Sequence, residues 1–373
     1  MIFFTLFHRI KIGGATQRFV FFSFTKHKPT PETPFCIAMS SGTTGDPKGI
    51  VYTHRYLLDI IDKADLGLSN TSRLIPLAMH IAFGFVLAIG TLTKGGVLAI
   101  PVWNLPTLGE YINLYAVTHM ALPPSVAMNF INFVPEGVDP FPSLKILRLG
   151  GSGSSTKLIG TLLSKFPKSI QVAYGLTELG AVSVAKADVL AAHPMSSGKV
   201  LPGLKLEVVD DKDKELPRET AGEIRVKLDG MPSGYYKDEE NSDRRFKDGW
   251  YYTGDVGRIS AEGLLFVDGR MDDIINLDGY KVSPGHVEEM LTRHPGVRDA
   301  VVFGTKEKTG KNILAAAVIL SEGDAGVDLT EYCKDKLGMA APRKFIAMRE
   351  FPRNPSGKVL RSKLIAAALE MDG

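Results

Sequence analysis

Cysteine is almost missing from this chain: Cys36 and Cys333 are the only two in 373 residues, far apart and without metal-ligand spacing. That excludes a disulfide framework and a cysteine-built metal cluster. It fits a reducing compartment, so a cytoplasmic location is expected. Charge imbalance is missing too. The formal net charge is +3, too small to argue for nucleic acid or an anionic membrane as a partner. No apolar run approaches the roughly 20 residues of a membrane-spanning helix, and no internal repeat or low-complexity tract occurs. Acidic residues are absent before Glu32. The apolar runs of this Phe-rich start are broken by His8, Arg9, Lys11 and Arg18, so the ~7–15-residue apolar core of a secretory signal is also missing. A β-hairpin turning at Gly13-Gly14 accounts for the start better than a transit peptide does. "KPTPETP", residues 28–34, reads as an extended linker.

What is present is an ordinary globular composition, 44% hydrophobic and 23% charged, in a chain long enough for two or three domains. "FCIAM", 35–39, reads as a buried strand feeding a loop, and "GIVYTH" as a second strand. Leu57, Ile60, Ile61 and Ala64 recur at helical spacing. "TLGE", 107–110, has the form of a capping box. "LKILRLGGSGSSTKLIGTLLSKF" followed by "IQVAYG" reads strand, glycine loop, helix, strand, with Ser155 or Thr156 as cap. That is a βαβ unit and predicts a parallel sheet with ligand loops at the strand C-termini. From about residue 200, short alternating runs predict antiparallel, barrel-like β structure. From about 272 the pattern is mixed: Ser283-Pro284 opens a helix as cap and first-turn proline, and further strands and helices follow. The expected fold is therefore α/β, divided into an atypical segment 1–34, an α/β core 35–199, an antiparallel β part 200–271 and a small mobile α+β domain 272–373.

Several loops carry candidate chemistry. "SSGTTGDPKG", 40–49, combines glycines, which let backbone N–H groups turn toward one point, with the hydroxyls of Ser40, Ser41, Thr43 and Thr44 and the charge of Lys48. Such a nest suits a polyphosphate. It is not a Walker A loop, because Pro47 precedes the lysine and no Gly-Lys-[Ser/Thr] follows. "YGLTELG", 174–180, offers a flat ring at Tyr174, a hydroxyl at Thr177 and a hard oxygen ligand for Mg²⁺ at Glu178. In "DVGRISAEGLLFVDGR", 255–270, folding about residues 261–262 sets Asp255 opposite the region of Asp268, with Arg270 just beyond. A carboxylate and a guanidinium at one hairpin end could grip a vicinal diol. "NPSGKVLR", 354–361, puts Lys358 on a turn as a positioned point charge. Taken singly, each has a plain alternative: a solvated loop, a capped turn, a surface salt bridge, a surface lysine.

Together, "SSGTTGDPKG", "YGLTELG", "GWYYTGD", "GRMDDIINLDGYKV" and "NPSGKVLR" occur in an order that resembles the adenylate-forming superfamily: acyl- and aryl-CoA ligases, peptide-synthetase adenylation domains and beetle luciferases. The likeness covers roughly residues 35–365. It implies an AMP-forming acid–thiol ligase, in which a carboxylate attacks the α-phosphate of ATP, acyl-AMP and pyrophosphate form, and a thiol takes the acyl group. By motif, Ser41, Thr43, Thr44, Gly45 and Lys48 look like the polyphosphate loop. Tyr174 and Gly175, with Gly150 and Gly151, look like the adenine site. Thr177 resembles the α-phosphate contact, Glu178 the magnesium ligand, and Asp255 with Arg270 the ribose grip. Lys358 resembles the lysine that bridges α-phosphate and attacking carboxylate. Asp272 resembles the hinge about which the small domain exchanges the Lys358 face for the one around Gly279.

The implied cofactors and partners are ATP, Mg²⁺, coenzyme A or a carrier-protein thiol, and a small carboxylic acid. Amino-acid-activating relatives carry an aspartate for the α-amine. The matching stretch here, "PLAMHIAFGF", 76–85, has none, and an unpaired ammonium would be costly. A fatty, aryl or other acid without an α-amine is expected, with His80, Phe83, Gly84, Phe85 and Ser125 of "LPPS" lining an apolar slot. The family carries a far longer segment before the phosphate loop. A shortened working enzyme, a fragment, and a silent nucleotide- or acyl-binding paralogue all fit that difference. Exposed sheet edge and apolar face are expected where the segment would pack, inviting pairing with another subunit.

Overall fold

The computed structural model describes residues 11–12, 15–16, 28–40, 48–75, 81–100, 105–277, 280–307, 312–321, 328–353 and 359–370. At the start, β1 (Lys11–Ile12) pairs antiparallel with β2 (Ala15–Thr16), in the register expected for a hairpin; its Gly13-Gly14 turn lies outside the described residues. The linker 28–33 then delivers the chain to β3 (Pro34–Met39), which pairs antiparallel with β4 (Gly49–Thr53).

"FCIAM" is a strand, but not a buried one. Only Ala38 is buried; Phe35, Ile37 and Met39 are exposed. Among the described residues β3 pairs with β4 alone, so the outer edge and one apolar face of this strand have no cover there. Thr53 then caps α1 (His54–Lys63), its hydroxyl accepting from the Tyr56 N–H. The predicted stripe Leu57, Ile60, Ile61 and Ala64 is buried.

The parallel sheet follows. It is built from β5 (Arg73–Ile75), β6 (Val97–Leu98), β7 (His119–Leu122), β8 (Ile146–Leu149), β9 (Ile170–Leu176), β10 (Gly180–Lys186) and β11 (Lys199–Val200), in the order β11-β10-β9-β8-β7-β5-β6. Strands β6 through β9 run parallel with β5, whereas β10 and β11 are antiparallel additions at one side. Helices α2 (Ala82–Thr93), α3 (Leu105–Leu114), α4 (Pro124–Phe130), α5 (Thr156–Lys165) and α6 (Ala187–Ala192) supply the crossovers and cover. Ser155 is the cap of α5, accepting from the Leu158 N–H at 3.3 Å. The "TLGE" capping box is not used as such: α3 already runs from Leu105, so Thr107 sits inside its first turn, with Pro106 supplying a pre-set helical φ.

The antiparallel part comprises β12 (Leu204–Val209), β13 (Gly222–Leu228), β14 (Phe246–Lys247), β15 (Trp250–Ile259) and β16 (Leu265–Arg270), ordered β12-β13-β15-β14 with β16 also on β15, and α7 (Glu239–Arg245) beside it. The C-terminal α+β part holds the pair β17 (Ile275–Leu277) and β18 (Tyr280–Val282), α8 (Pro284–Thr292), the sheet of β19 (Val297–Lys306), β20 (Asn312–Leu320) and β21 (Lys344–Ala347), and helices α9 (Leu329–Leu337) and α10 (Arg361–Glu370). "ILAAAVIL" is apolar throughout because β20 is buried on both faces. Leu314, Ala316 and Val318 enter one core, and Ala315, Ala317 and Ile319 the other. Pro284 opens α8 as expected, but the Ser283 hydroxyl does not cap it; it donates to the Asp268 carbonyl at 2.8 Å and ties α8 to β16.

Candidate functional site

The C-terminal ends of β8 and β9 open into a cavity of about 870 Å³. Of the residues expected at a site, Lys48, Phe83, Gly150, Gly151, Gly175, Thr177, Glu178, Arg270 and Asp272 all line it. They arrive from β4, α2, β8, β9, β16 and the turn after it, and only the chain path brings them together. Ser41, Thr43, Thr44, Gly45, His80 and Lys358 lie outside the described residues, as does Gly279.

The base of the phosphate-loop motif is closed by a backbone bond from the Ser40 N–H to the Lys48 carbonyl at 2.8 Å, and the Lys48 N–H donates to the Ser40 hydroxyl at 3.2 Å. Both residues face the cavity. The Lys48 ammonium crosses to the opposite wall, where it donates to Asn241 Oδ1 at 2.7 Å and lies 5.4 Å from the Tyr235 ring centroid. Asn241 is itself held by both carboxylate oxygens of Asp238.

Thr177 and Glu178 sit in the tight turn between β9 and β10. Gly175 permits that turn, since a Cβ there would meet the Gly180 carbonyl oxygen at 2.6 Å. The turn is clamped from beneath: the Tyr52 hydroxyl donates to the Thr177 carbonyl, and the Tyr56 hydroxyl to the Glu178 carbonyl at 2.6 Å. The Glu178 carboxylate is buried and accepts from the Tyr235 hydroxyl at 2.8 Å; Tyr251 lies 3.1 Å from Tyr235, hydroxyl to hydroxyl. Burial first, and the Glu178 charge second, push the phenols of Tyr235 and Tyr251 upward, so both remain protonated donors.

Asp255 and Arg270 form the other polar wall. Arg270 Nη1 donates to Asp255 Oδ1 at 3.2 Å, and the Tyr174 hydroxyl donates to Asp255 Oδ2 at 2.6 Å. Asp255 is buried. Burial pulls the Arg270 guanidinium down, but the Asp255 charge, the Tyr251 and Tyr174 phenols and the hydrogen bond to Asp255 together outweigh that and hold it above the usual range. Arg270 Nε is buried and has no hydrogen-bond partner among the described residues. A buried, unsatisfied donor on a cavity wall is costly by itself and fits a site completed by a ligand acceptor.

Other expected positions lie off this cavity. Tyr174 is an anchor for Asp255 and is not on the cavity wall. Gly84 and Phe85 also lie off the wall: the face of α2 that meets the cavity carries Phe83, Val86 and Leu87, which recur at helical spacing, and Phe85 packs toward Phe35 instead. Ser125, at the start of α4, does not line the cavity either. Sequence reasoning missed Tyr52, Tyr56, Tyr235, Asn241 and Arg148. The last had a signal, a lone cation within the apolar strand "ILRL", 146–149. No helix of the described residues is long and apolar enough to cross a membrane.

Comparison with known proteins places this geometry among others. A family profile described as AMP-binding enzyme matches residues 12–236, and one described as AMP-binding enzyme C-terminal domain matches 286–358. The chain is 30% identical to 4-coumarate–CoA ligase 4 of Arabidopsis thaliana over 91% of its own length and 63% of the relative's. It is 29% identical to 2-succinylbenzoate–CoA ligase of Bacillus mycoides, over 94% of this chain and 73% of that one. The structure superposes on o-succinylbenzoate coenzyme A synthetase from Bacillus subtilis, in complex with ATP and magnesium ion, with a TM-score of 0.79 and 26% identity, covering 90% of this chain and 70% of the other. The chain thus spans roughly two thirds of the length of the relatives it matches.

Proposed function

The chain belongs to the AMP-binding enzymes, the adenylate-forming superfamily, and on that premise we propose that it joins a carboxylic acid to a thiol at the expense of ATP. The acid is activated to acyl-AMP with release of pyrophosphate. The acyl group then passes to coenzyme A, with a carrier-protein phosphopantetheine as the alternative acceptor.

In this reading Ser41, Thr43, Thr44, Gly45 and Lys48 hold the polyphosphate. Thr177 contacts the α-phosphate, Gly150, Gly151 and Gly175 border the adenine, and Asp255 with Arg270 grips the ribose. Tyr174 sets the Asp255 carboxylate. Glu178 is the protein's ligand for Mg²⁺, which neutralises phosphate charge when bound. One buried carboxylate suits this ion, which is commonly held by one or two carboxylates and the substrate's phosphates. Among the described residues there is no cluster of three or more His, Cys, Asp or Glu to suggest a different metal site. Lys358 carries the charge that steadies the reacting carboxylate and α-phosphate, delivered by a mobile part, residues 272–373, that pivots near Asp272. The remaining division, into 1–34, 35–199 and 200–271, is the working arrangement of the static part.

The single observation that supports this reading best is the convergence of Lys48, Thr177, Glu178 and Arg270 on one cavity, where the Arg270 Nε has no partner among the described residues. At its other end the cavity is walled by Leu66, Phe83, Val86 and Leu87, which suits an acyl chain or aryl ring and would make a free α-ammonium costly. The test is carboxylate-dependent ATP–pyrophosphate exchange over a panel of aliphatic and aryl acids. Exchange with any of them supports the proposal; ATP binding without exchange on every acid would identify a silent nucleotide-binding paralogue instead.

A further inference from the structure

Beyond the apolar walls, the floor of the cavity is a cation. Arg148 lies on β8 two residues before Gly150. Because side chains alternate along a strand, the two positions share a face, and the Phe83 ring packs over Gly150, where a Cβ would meet it at 3.2 Å. Arg148 is 1% exposed and lines the cavity.

Its partners are all neutral. Nε and one Nη2 N–H donate to Gln171 Oε1, which stands directly across from it on β9. Nη1 donates to the Ala64 carbonyl and Nη2 to the Asp65 carbonyl, both at 2.9 Å and both at the C-terminal end of α1. The second Nη1 N–H has no partner among the described residues. The nearest carboxylate on the same turn, that of Asp65, is taken by Lys186 at 2.9 Å. The helix terminus contributes partial negative charge but does not neutralise a guanidinium. Burial pulls Arg148 down to about 10, the charge of Asp65 offsetting only part of that, and it remains a cation at neutral pH. A neutral donor could tie down the end of α1 equally well; a charge at this depth implies an anion that arrives with a ligand.

We propose that the acid activated here carries a second anionic group, a distal carboxylate, which docks on the Arg148 guanidinium where it lines the cavity. The substrate class is therefore a dicarboxylic acid: one carboxylate is activated near Thr177, and the other is bound and left unreacted. This rests on the acid-activating reading above and narrows it.

The experiment compares isosteric pairs in ATP–pyrophosphate exchange with the full chain: glutarate, adipate and terephthalate, each against its monomethyl ester, alongside unsubstituted aliphatic and aryl monoacids. At each length accepted, kcat/KM for the diacid is expected to exceed that for the ester about tenfold to a hundredfold, mainly through KM, as a charge-assisted hydrogen bond would give. In Arg148→Gln the ratio should collapse toward one, and Arg148→Lys should keep part of it. Removing the guanidinium also frees the carbonyls at the end of α1, so the wild-type ratios decide the matter should either variant fail to fold. Esters or monoacids used as well as diacids by the wild type would overturn the proposal and leave the acid-activating function standing. So would a diacid preference that survives in folded Arg148→Gln. No exchange with any acid would remove the function and this inference together.

Discussion

Asp255 stands directly across the strand pair from Arg270. An unbroken hairpin with the turn observed here, in which Ile259 faces Leu265 and Gly257 faces Val267, would set Asp255 against Gly269 instead. The register slips between Val256 and Gly257, so that Asp268 is the extra residue of a bulge and Gly269 adopts φ +141°. The displaced Asp268 carboxylate pairs with Arg258 at 2.9 Å. Gly269→Val, which tolerates φ +141° poorly, should favour the unbroken register, set Asp255 against position 269 and send the Arg270 side chain to the opposite face. The expected outcome is a rise in KM for ATP of at least about tenfold, the loss of one or more charge-assisted contacts. Asp268→Ala, which keeps the bulge and removes only a half-exposed ion pair, should change KM by less than about threefold. Steady-state exchange kinetics with both variants check the point.

Tyr235 reaches Glu178 from fifty-seven positions away in the chain. Its hydroxyl both fixes the carboxylate and shares the Tyr251 hydroxyl, and its ring lies beneath the Lys48 ammonium. Tyr235→Phe keeps the ring and removes the donor. We expect about 1–2 kcal/mol less stability, since a buried carboxylate loses a partner, and a several-fold higher Mg²⁺ requirement in exchange assays as Glu178 loses its fixed orientation. Thermal unfolding and a magnesium titration read the two effects separately.

Much of this architecture is legible in the sequence because it is local. The stripe on α1, the Ser155 cap and the strand–loop–helix of β8 and α5 each follow from residues within a turn or two of one another. Lys48, Thr177, Glu178, Asp255 and Arg270 stand in short motifs whose order along the chain carries the family resemblance. What escapes is long-range or subtractive. Tyr52 and Tyr56 clamp a turn more than a hundred residues later, and no periodicity records that. Phe35, Ile37 and Met39 look like core because apolarity reports only the tendency to be buried, while burial itself depends on which strand arrives alongside. The bulge at Asp268 leaves both flanking strands with normal composition. Tyr174 reads as a ring, and no local signal records that its hydroxyl reaches Asp255.

His119, on the strand beside Arg148, offers a pH test. Burial, and then the positive charges of Lys145 and Arg148, push its imidazole down from 6.5 to about 4. Its folded value is thus below its unfolded one, so the neutral ring contributes stability above pH 6.5 that is lost as pH falls through about 4. The difference amounts to about 3 kcal/mol at most. Denaturant unfolding between pH 7 and 4 should show this loss in the wild type. In His119→Gln the slope over the same interval should be shallower, whatever the variant's absolute stability; an unchanged slope would remove His119 from the acid limb.

The C-terminal part meets the α/β core where α8 packs at the start of α5. Glu289 of α8 accepts from the Thr156 N–H at 3.2 Å and from the Thr156 hydroxyl, at the start of α5, while Lys157 donates to the Val297 carbonyl at 3.0 Å. Negative charge at a helix N-terminus is favourable, so this contact stabilises the arrangement seen. If residues 272–373 pivot between two half-reactions, the contact belongs to one pose and must break in the other. Glu289→Ala should then alter the two half-reactions in opposite directions, by up to about tenfold for an interaction worth 1–1.4 kcal/mol. Lys358→Ala should abolish acyl-AMP formation yet spare thioester formation from acyl-AMP supplied ready-made, and Asp272→Pro should hold the pair of rates at one extreme. Single-turnover measurements of each half-reaction separate these outcomes. Parallel losses in both half-reactions for Glu289→Ala and Asp272→Pro would mean that the C-terminal part works without a swing, and equal losses for Lys358→Ala would take that lysine out of the acid-activating step.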